Sequence, residues 1–415
     1  MANTPARQRR TTLRLASAAS RVRQLLASEL VRRVVPLAII SRIAILAVGF
    51  ATVAVVGYQL QPGQFRVSRN EFLNLPARGD AGWYLGIARH GYRWSPELHG
   101  HRHALAFFPA YPILMRVAGE VVTLPAKVIR DPDLLGNGDS RVLWGGVLTS
   151  ITCFIAALAV VYRIAQHPAV SAPPLATLTL LAFYPFGLFF GVAYSESLFL
   201  FVMSATVLAW LYGHKGAAFG CGLLTGLARS NGWTLSVALL AALVLRDGSI
   251  RRHRCWWLIA CAPGIGACGF SAYVWWVTGS PLEWVTAQEG WGRAVSPVAF
   301  ATRRIEALSE LGPWGYLRAD PVDAATALAV ALSIATTAWH LRRRHVLFGT
   351  LILAYLAPAL IIDLPATGRM TSVLFPVFLC AADILRGWRL VAVACAFAAG
   401  QLLLAARHFL WLPPY

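Results

Sequence analysis

Long apolar runs separated by short arginine-bearing pieces dominate this chain. A helix that crosses a bilayer needs about 20 apolar residues. On that ruler, spans are expected near 35–58, 143–162, 174–192, 195–212, 256–277, 322–340, 346–362, 370–385 and 389–409. Two shorter apolar pieces, 216–228 and 232–246, are broken by ARSNG and predict a helical hairpin. Interrupted helices are tolerated at membrane depth where they pack inside protein or line a cavity. The pattern therefore predicts an all-α polytopic membrane protein of about 11 transmembrane segments. The stretch 104–124, ALAFFPAYPILMRVAGEVVTL, is long enough to span. Its two prolines, Arg116 and Glu120 predict instead a helix lying in the interface plane.

Composition supports the membrane class. The chain is 57% hydrophobic and only 13% charged, against about one-quarter charged in soluble domains. The net charge of +19 could suggest nucleic acid, but the basic residues cluster between apolar segments. That is the positive-inside pattern, and it excludes a nucleic-acid partner. Seven cysteines (153, 221, 255, 261, 268, 380 and 395) lie in or beside apolar segments, with no Cys/His spacing for zinc.

Charge also predicts the orientation. Residues 1–34 form a basic tail expected on the cytoplasmic face, in contact with membrane lipids and leading into an uncleaved first span. Alternation then places Arg163, His214–Lys215, 246–254, 340–345 and 386–389 inside. The single transmembrane domain covers 35–410, with 411–415 as a short C-terminal tail. Outside lie a large first loop, 59–142, with interfacial helices, and a second, 278–321. The expected location is the cell membrane, multi-pass, with the active site extracytoplasmic. No internal repeat is visible, which disfavours the inverted halves of many transporters.

On this topology the unusual polar residues gather at the outer face: Asp80 in the first loop, Tyr194, Ser195 and Glu196 in AYSES, Arg229 and Asn231 at the hairpin tip, and Asp363 and Arg369 around a later turn. Ionisable residues at membrane depth are costly, and a cluster of them marks a functional site. Each has a plainer reading. Asp80 could cap the helix that GWYLGIARHGY predicts, Glu196 could pair with Arg229, and Arg369 could anchor at the interface. HGHRH (99–103) has no ligating companion near it in sequence and reads as a solvated loop, so no metal site is expected. A carboxylate with arginines suits transfer of a group from a lipid phosphate to a hydroxyl. The carboxylate takes the proton and the arginines hold the phosphate. One base without a protein nucleophile implies single displacement with inversion. A transporter or flippase of a lipid-linked or anionic solute is the competing class. It should carry its polar residues at the membrane midplane.

The blocks RGDAGWYLGIARHGY (78–92), ALAFFPAYPILMR (104–116), AYSESLFLF (193–201), GLLTGLARSNG (222–232) and GRMTSVLFPVF (368–378) together resemble the PIG-V mannosyltransferase family of GT-C membrane glycosyltransferases. The resemblance implies a GT-C-like bundle, a polyprenyl-phosphate-linked sugar donor, an α-linked mannose product and no cofactor, a divalent metal aside. It implies Asp80 as the catalytic base. Arg229 and Arg369 are then candidates for the donor phosphate. Trp83, Tyr84, His90, Tyr92, Tyr194, Glu196 and Asn231 are candidates for substrate contacts. The expected acceptor is a cell-envelope glycolipid, glycan or protein. One position departs from the family pattern: Gly79 stands where a bulky residue usually precedes the aspartate, which predicts a looser aspartate.

Overall fold

The structure is a computed structural model that describes residues 29–57, 65–129, 136–245, 254–291, 296 and 298–412. Residues 1–28 of the expected tail and most of the 246–254 arginine run lie outside these. Helices are α1 Glu29–Val56, α2 Glu71–Asn74, α3 Ala81–His90, α4 Ala110–Ile129, α5 Gly138–Gln166 and α6 Pro174–Ala182. There follow α7 Glu196–Leu211, α8 Lys215–Ala228, α9 Thr234–Leu245, α10 Arg254–Thr278 and α11 Glu283–Thr286. The chain closes with α12 Ala299–Ala319, α13 Pro321–Arg342, α14 Val346–Ile361, α15 Thr367–Thr371, α16 Phe375–Ile384 and α17 Trp388–Phe409. No strand occurs among the described residues.

Among the described residues, five helices are long and apolar enough to cross a membrane: Val31–Val56, α5, α10, α13 and α17. The protein is a helical membrane protein on that ground. A sixth span arises if α6 and the 3-10 helix Pro185–Gly191, bent by 82°, count as one. The other segments expected to span are helical too, but short. At 1.5 Å per residue, the 16 residues of α7 reach about 24 Å, less than the roughly 30 Å hydrocarbon core. α7 is also well enclosed by the rest of the protein, since even its Glu196, Ser197, Ser204 and Thr206 are buried. A hydropathy ruler cannot separate burial from membrane crossing.

The bent α6 segment explains two polar residues inside spans. Pro185 ends the helical ladder, leaving carbonyls without intrahelical partners. Arg42 of α1, fully buried, donates to Ala182 O at 2.7 Å and Gly187 O at 2.5 Å. Gln401 of α17 donates to Ala182 O at 3.1 Å and Tyr184 O at 2.7 Å. Arg42 is therefore a structural clamp that satisfies a broken helix.

The hairpin α8–α9 forms as its sequence predicts. Its first arm lies tightly on α10, where a Cβ on Gly226 would stand 1.9 Å from Pro263 O and one on Gly266 2.2 Å from Leu223 O. Small residues let these backbones meet. Two expectations change. The stretch from 104 begins as a 3-10 turn, and α4 starts only at Ala110, after Pro109. It packs against α5, with Tyr111 Oη donating to Gly146 O at 2.9 Å. It is not among the helices with the length and composition of a span. The second expected loop, 278–321, is largely helical. It holds α11 and α12, and α12 is kinked at Gly312, where φ is +66°.

Candidate active site

Three helix ends far apart in sequence bring the polar cluster together. Asp80 precedes α3, Glu196 opens α7, and Arg229 follows the last residue of α8. Arg369 comes from the single turn of α15.

Asp80 sits in the N-cap position of α3 with helical angles, φ −62° and ψ −16°, and its side chain makes no capping bond. The plain capping reading fails, because an N-cap carboxylate must accept from the N2 or N3 amide. Asp80 Oδ2 instead accepts from Arg369 Nη1 at 2.8 Å. Its backbone N–H donates to Tyr194 Oη at 3.0 Å. Gly79 makes that possible. Its φ is +50°, and a Cβ there would stand 2.4 Å from the Tyr194 hydroxyl. The glycine expected to loosen the aspartate is what lets Tyr194 hold it.

Behind Asp80 the charges interlock. Arg369 Nε lies 3.0 Å from Glu196 Oε1, and the same oxygen accepts from Arg229 Nη1. Glu196 is 1% exposed, and its Oε2 has no hydrogen-bond partner. Two carboxylates thus face two guanidiniums, balancing charge in a place where an isolated ion would be expelled. The Arg369 guanidinium also stacks on Phe189 and Tyr194, with centroids 5.2 and 5.3 Å away. Glu196 at a helix start gains from the dipole as well. Its pairing with Arg229, the plain reading, is present, and it extends to a second arginine that sequence distance concealed.

Asp80, Arg229, Asn231 and Arg369 line one cavity of about 830 Å³. Tyr84 and Ser195 line it too, and Tyr84 Oη donates to Ser195 Oγ at 2.8 Å. Burial pushes the Tyr84 hydroxyl well above the ordinary tyrosine range, so it stays protonated. Neither amide atom of Asn231, 8% exposed, has a hydrogen-bond partner of normal geometry. The remaining wall is apolar and aromatic: Phe107, Phe108, Trp233, Trp284, Ile362 and Met370 among others. An anionic head beside a long apolar body fits such a lining.

Other sequence candidates lie off the cavity wall. Trp83 stacks on Phe107 at 5.8 Å and meets Trp291, which does line it. Tyr92 donates to Phe107 O at 2.7 Å, holding that wall residue from behind. His90 is exposed at the end of α3, away from the cavity lining. Tyr194 and Glu196 act on lining residues rather than lining the space themselves.

HGHRH is solvated only in part: His99, His101 and Arg102 are exposed, but His103 is not. His103 is 2% exposed, and both His103 Nε2, at 3.3 Å, and His99 Nδ1, at 2.9 Å, meet the carboxylate of Glu283, itself 1% exposed. The companion carboxylate was invisible because it lies 180 residues from His103. This pairing pins α11, whose Trp284 and Val285 form cavity wall. Among the described residues no group of three or more His, Cys, Asp or Glu side chains could hold a metal ion.

A second cavity, about 800 Å³, lies at the opposite helix ends, lined by Trp210, Leu211, Leu245 and Phe348 with Arg343, Arg344 and His345. Among the described residues its lining holds no carboxylate. Comparison with known proteins found no matching family model, no matching curated protein and no matching solved structure.

Proposed function

We propose that this chain is a membrane glycosyltransferase of GT-C type. It moves a sugar, mannose by the family resemblance, from a polyprenyl-phosphate donor to a hydroxyl of a cell-envelope acceptor. The reading places the protein in the cell membrane with about eleven membrane segments, the N-terminus cytoplasmic and the Asp80 cavity extracytoplasmic. The observation that carries it is the enclosed pair of Asp80 and Arg369 at 2.8 Å, at the edge of a cavity otherwise largely apolar.

The pair suits single displacement. In the resting protein Arg369 neutralises Asp80. A donor phosphate entering the cavity competes for Arg369 and Arg229, which are fixed donors for its oxygens. Asp80 is released from its ion pair and faces the acceptor hydroxyl. The acceptor oxygen attacks the anomeric carbon while its proton passes to the Asp80 carboxylate. The bond from that carbon to the phosphate oxygen breaks, and its electron pair leaves on the lipid phosphate. No enzyme–sugar bond forms, so the anomeric configuration inverts. Glu196 keeps both arginines oriented, and Asn231 offers an amide to a sugar hydroxyl.

The test is a donor panel on purified protein in lipid vesicles. Transfer is expected from a polyprenyl-phosphate-linked hexose, with inverted configuration in the product, and none from nucleotide sugars. Turnover of a nucleotide sugar, or retained configuration, overturns the reading.

A further inference from the structure

The 21-residue helix α12 has a face that the rest of the protein leaves bare. Val298, just before it, is 63% exposed, and Ile305, Leu308 and Trp314 are 63%, 42% and 74% exposed. Ile305 and Leu308 stand three residues apart, on one side of the helix. Glu306 and Glu310, four apart and exposed, stand on another, with Arg303 near them. The third side is inward: Phe300 and Arg304, also four apart, are 8% and 5% exposed. This three-sided pattern differs from a span, which is apolar all round, and from a solvated helix, which is polar outward.

The inward side is tightly held. Arg304 Nη1 donates to Asp363 Oδ1 at 3.0 Å, and Nη2 pairs with Asp323. Arg303 pairs with Asp363, and Tyr316 Oη donates to Asp323. Asp323 belongs to the first turn of α13, and Asp363 follows the end of α14. The helix is therefore clamped at the ends of neighbouring helices, which fixes the direction its bare face points.

The level of the membrane surface can be read nearby. α10 and α13 both have the length and composition of spans, and the chain between them must return to the same face. The last turns of α10 carry Trp275 and Trp276, 62% and 83% exposed. Exposed tryptophans at a span's end mark the interface between hydrocarbon and water. A helix hung between two span ends, with one apolar and one charged side, has the composition of an in-plane interfacial helix.

We infer that α12 lies in the membrane surface on the face of the Asp80 cavity, with Ile305 and Leu308 among lipid chains and Glu306 and Glu310 in water. Its occupant is the lipid surface. Resting on the reading of a lipid-borne donor, α12 is also the edge that such a donor passes. Asp363, its clamp, is two residues from Ile361. Ile361 and Val285 both line the cavity while being 39% and 42% exposed. Ser296 N–H donates to Ile361 O at 2.8 Å, tying the approach to α12 to the same rim. Val285 and Ile361 give this side of the rim an apolar stretch for a lipid chain, beside the polar Gln288 and Glu289.

Two measurements test this. A photo-crosslinking amino acid is placed singly at Ile305, Leu308, Glu306 and Glu310 of the full chain, reconstituted in phospholipid vesicles. Phospholipid adducts are expected at 305 and 308, at least several-fold above 306 and 310. Equal adduct at all four positions, or none at 305 and 308, overturns the membrane assignment. This readout needs no transferase activity, so it stands or falls apart from the proposed reaction. The second measurement pairs Ile305→Asp with Leu308→Asp. The double variant should raise KM several-fold for a long-chain polyprenyl-phosphate sugar and leave KM for a short-chain, water-soluble analogue unchanged. An equal rise for both donors, or none for either, removes the access role.

Discussion

The two cavities are nearly the same size, about 830 and 800 Å³, yet their charged walls differ. At the Asp80 end, two arginines are enclosed against two carboxylates, all four side chains at most 21% exposed. At the other end, Arg344 is exposed, and Arg343 is neutralised by Asp383 at 2.8 Å and stacked on Trp339. Arginines at the second cavity lie exposed at helix ends. Arginines at the first are held in place by acids that the chain must bury at a cost. A basic residue at a membrane boundary therefore says little, whereas a basic residue locked to a buried acid from a distant helix points to a site.

Substitutions at the two ends should separate sharply. Arg369→Gln removes a phosphate donor, strands Asp80 and leaves Glu196 with Arg229 alone, so transfer should fall about 10²–10³-fold. Arg344→Gln, at the other cavity, should leave turnover within about 2-fold, as for an exposed charge. Comparable losses at both ends, measured as kcat/KM in vesicles, would erase the contrast. Glu196→Gln comes next. It leaves two enclosed guanidiniums with one counter-charge, at a stability cost of about 3–5 kcal/mol. Thermal unfolding with bound detergent reads it, and Asp383→Asn at the second cavity should cost about 1 kcal/mol or less.

Smaller effects sharpen the geometry. Gly79→Ala should cost about 1–3 kcal/mol and reduce transfer, because its Cβ meets the Tyr194 hydroxyl at a positive φ. Adding Tyr194→Phe removes the clashing oxygen, so the double variant should recover part of the loss. An additive double variant would contradict the account of Gly79. The smallest expected effect involves α11. Burial lowers the His103 pKa below its ordinary value, with the bond to Glu283 acting the other way. The unfolded form then binds the proton more readily, so this group's stability contribution is full above about pH 6.5 and falls as pH drops below it. Limited proteolysis within 278–291 should accelerate at pH 5.5, and His103→Gln should flatten that dependence.

Much of this was legible in the sequence. The apolar runs predicted the helices, ARSNG the hairpin turn, and charge clustering the family of residues that meet at Asp80. What sequence missed has a common physical origin. Burial and membrane crossing both select apolar residues, so hydropathy alone does not give the lengths of α7 and α14, 16 residues each. Long-range partners leave no local trace: Glu283 under HGHRH, Gln401 and Arg42 on the broken α6 segment, and Arg369 on Asp80. Gly79 was misread because a missing side chain signals looseness in one dimension and close approach in three. The amphipathic α12 was hidden by its position in a segment taken for a loop.

One measurement tests the role of Asp80 directly. Purified protein and its Asp80→Asn variant are compared in vesicles with a saturating polyprenyl-phosphate sugar donor, recording both donor binding and transfer. The substitution keeps shape and can still bond Arg369, so donor binding should survive while transfer drops about 10²–10⁴-fold, the scale of a lost general base. Transfer within a few-fold of the unmodified protein would contradict the catalytic role of this carboxylate.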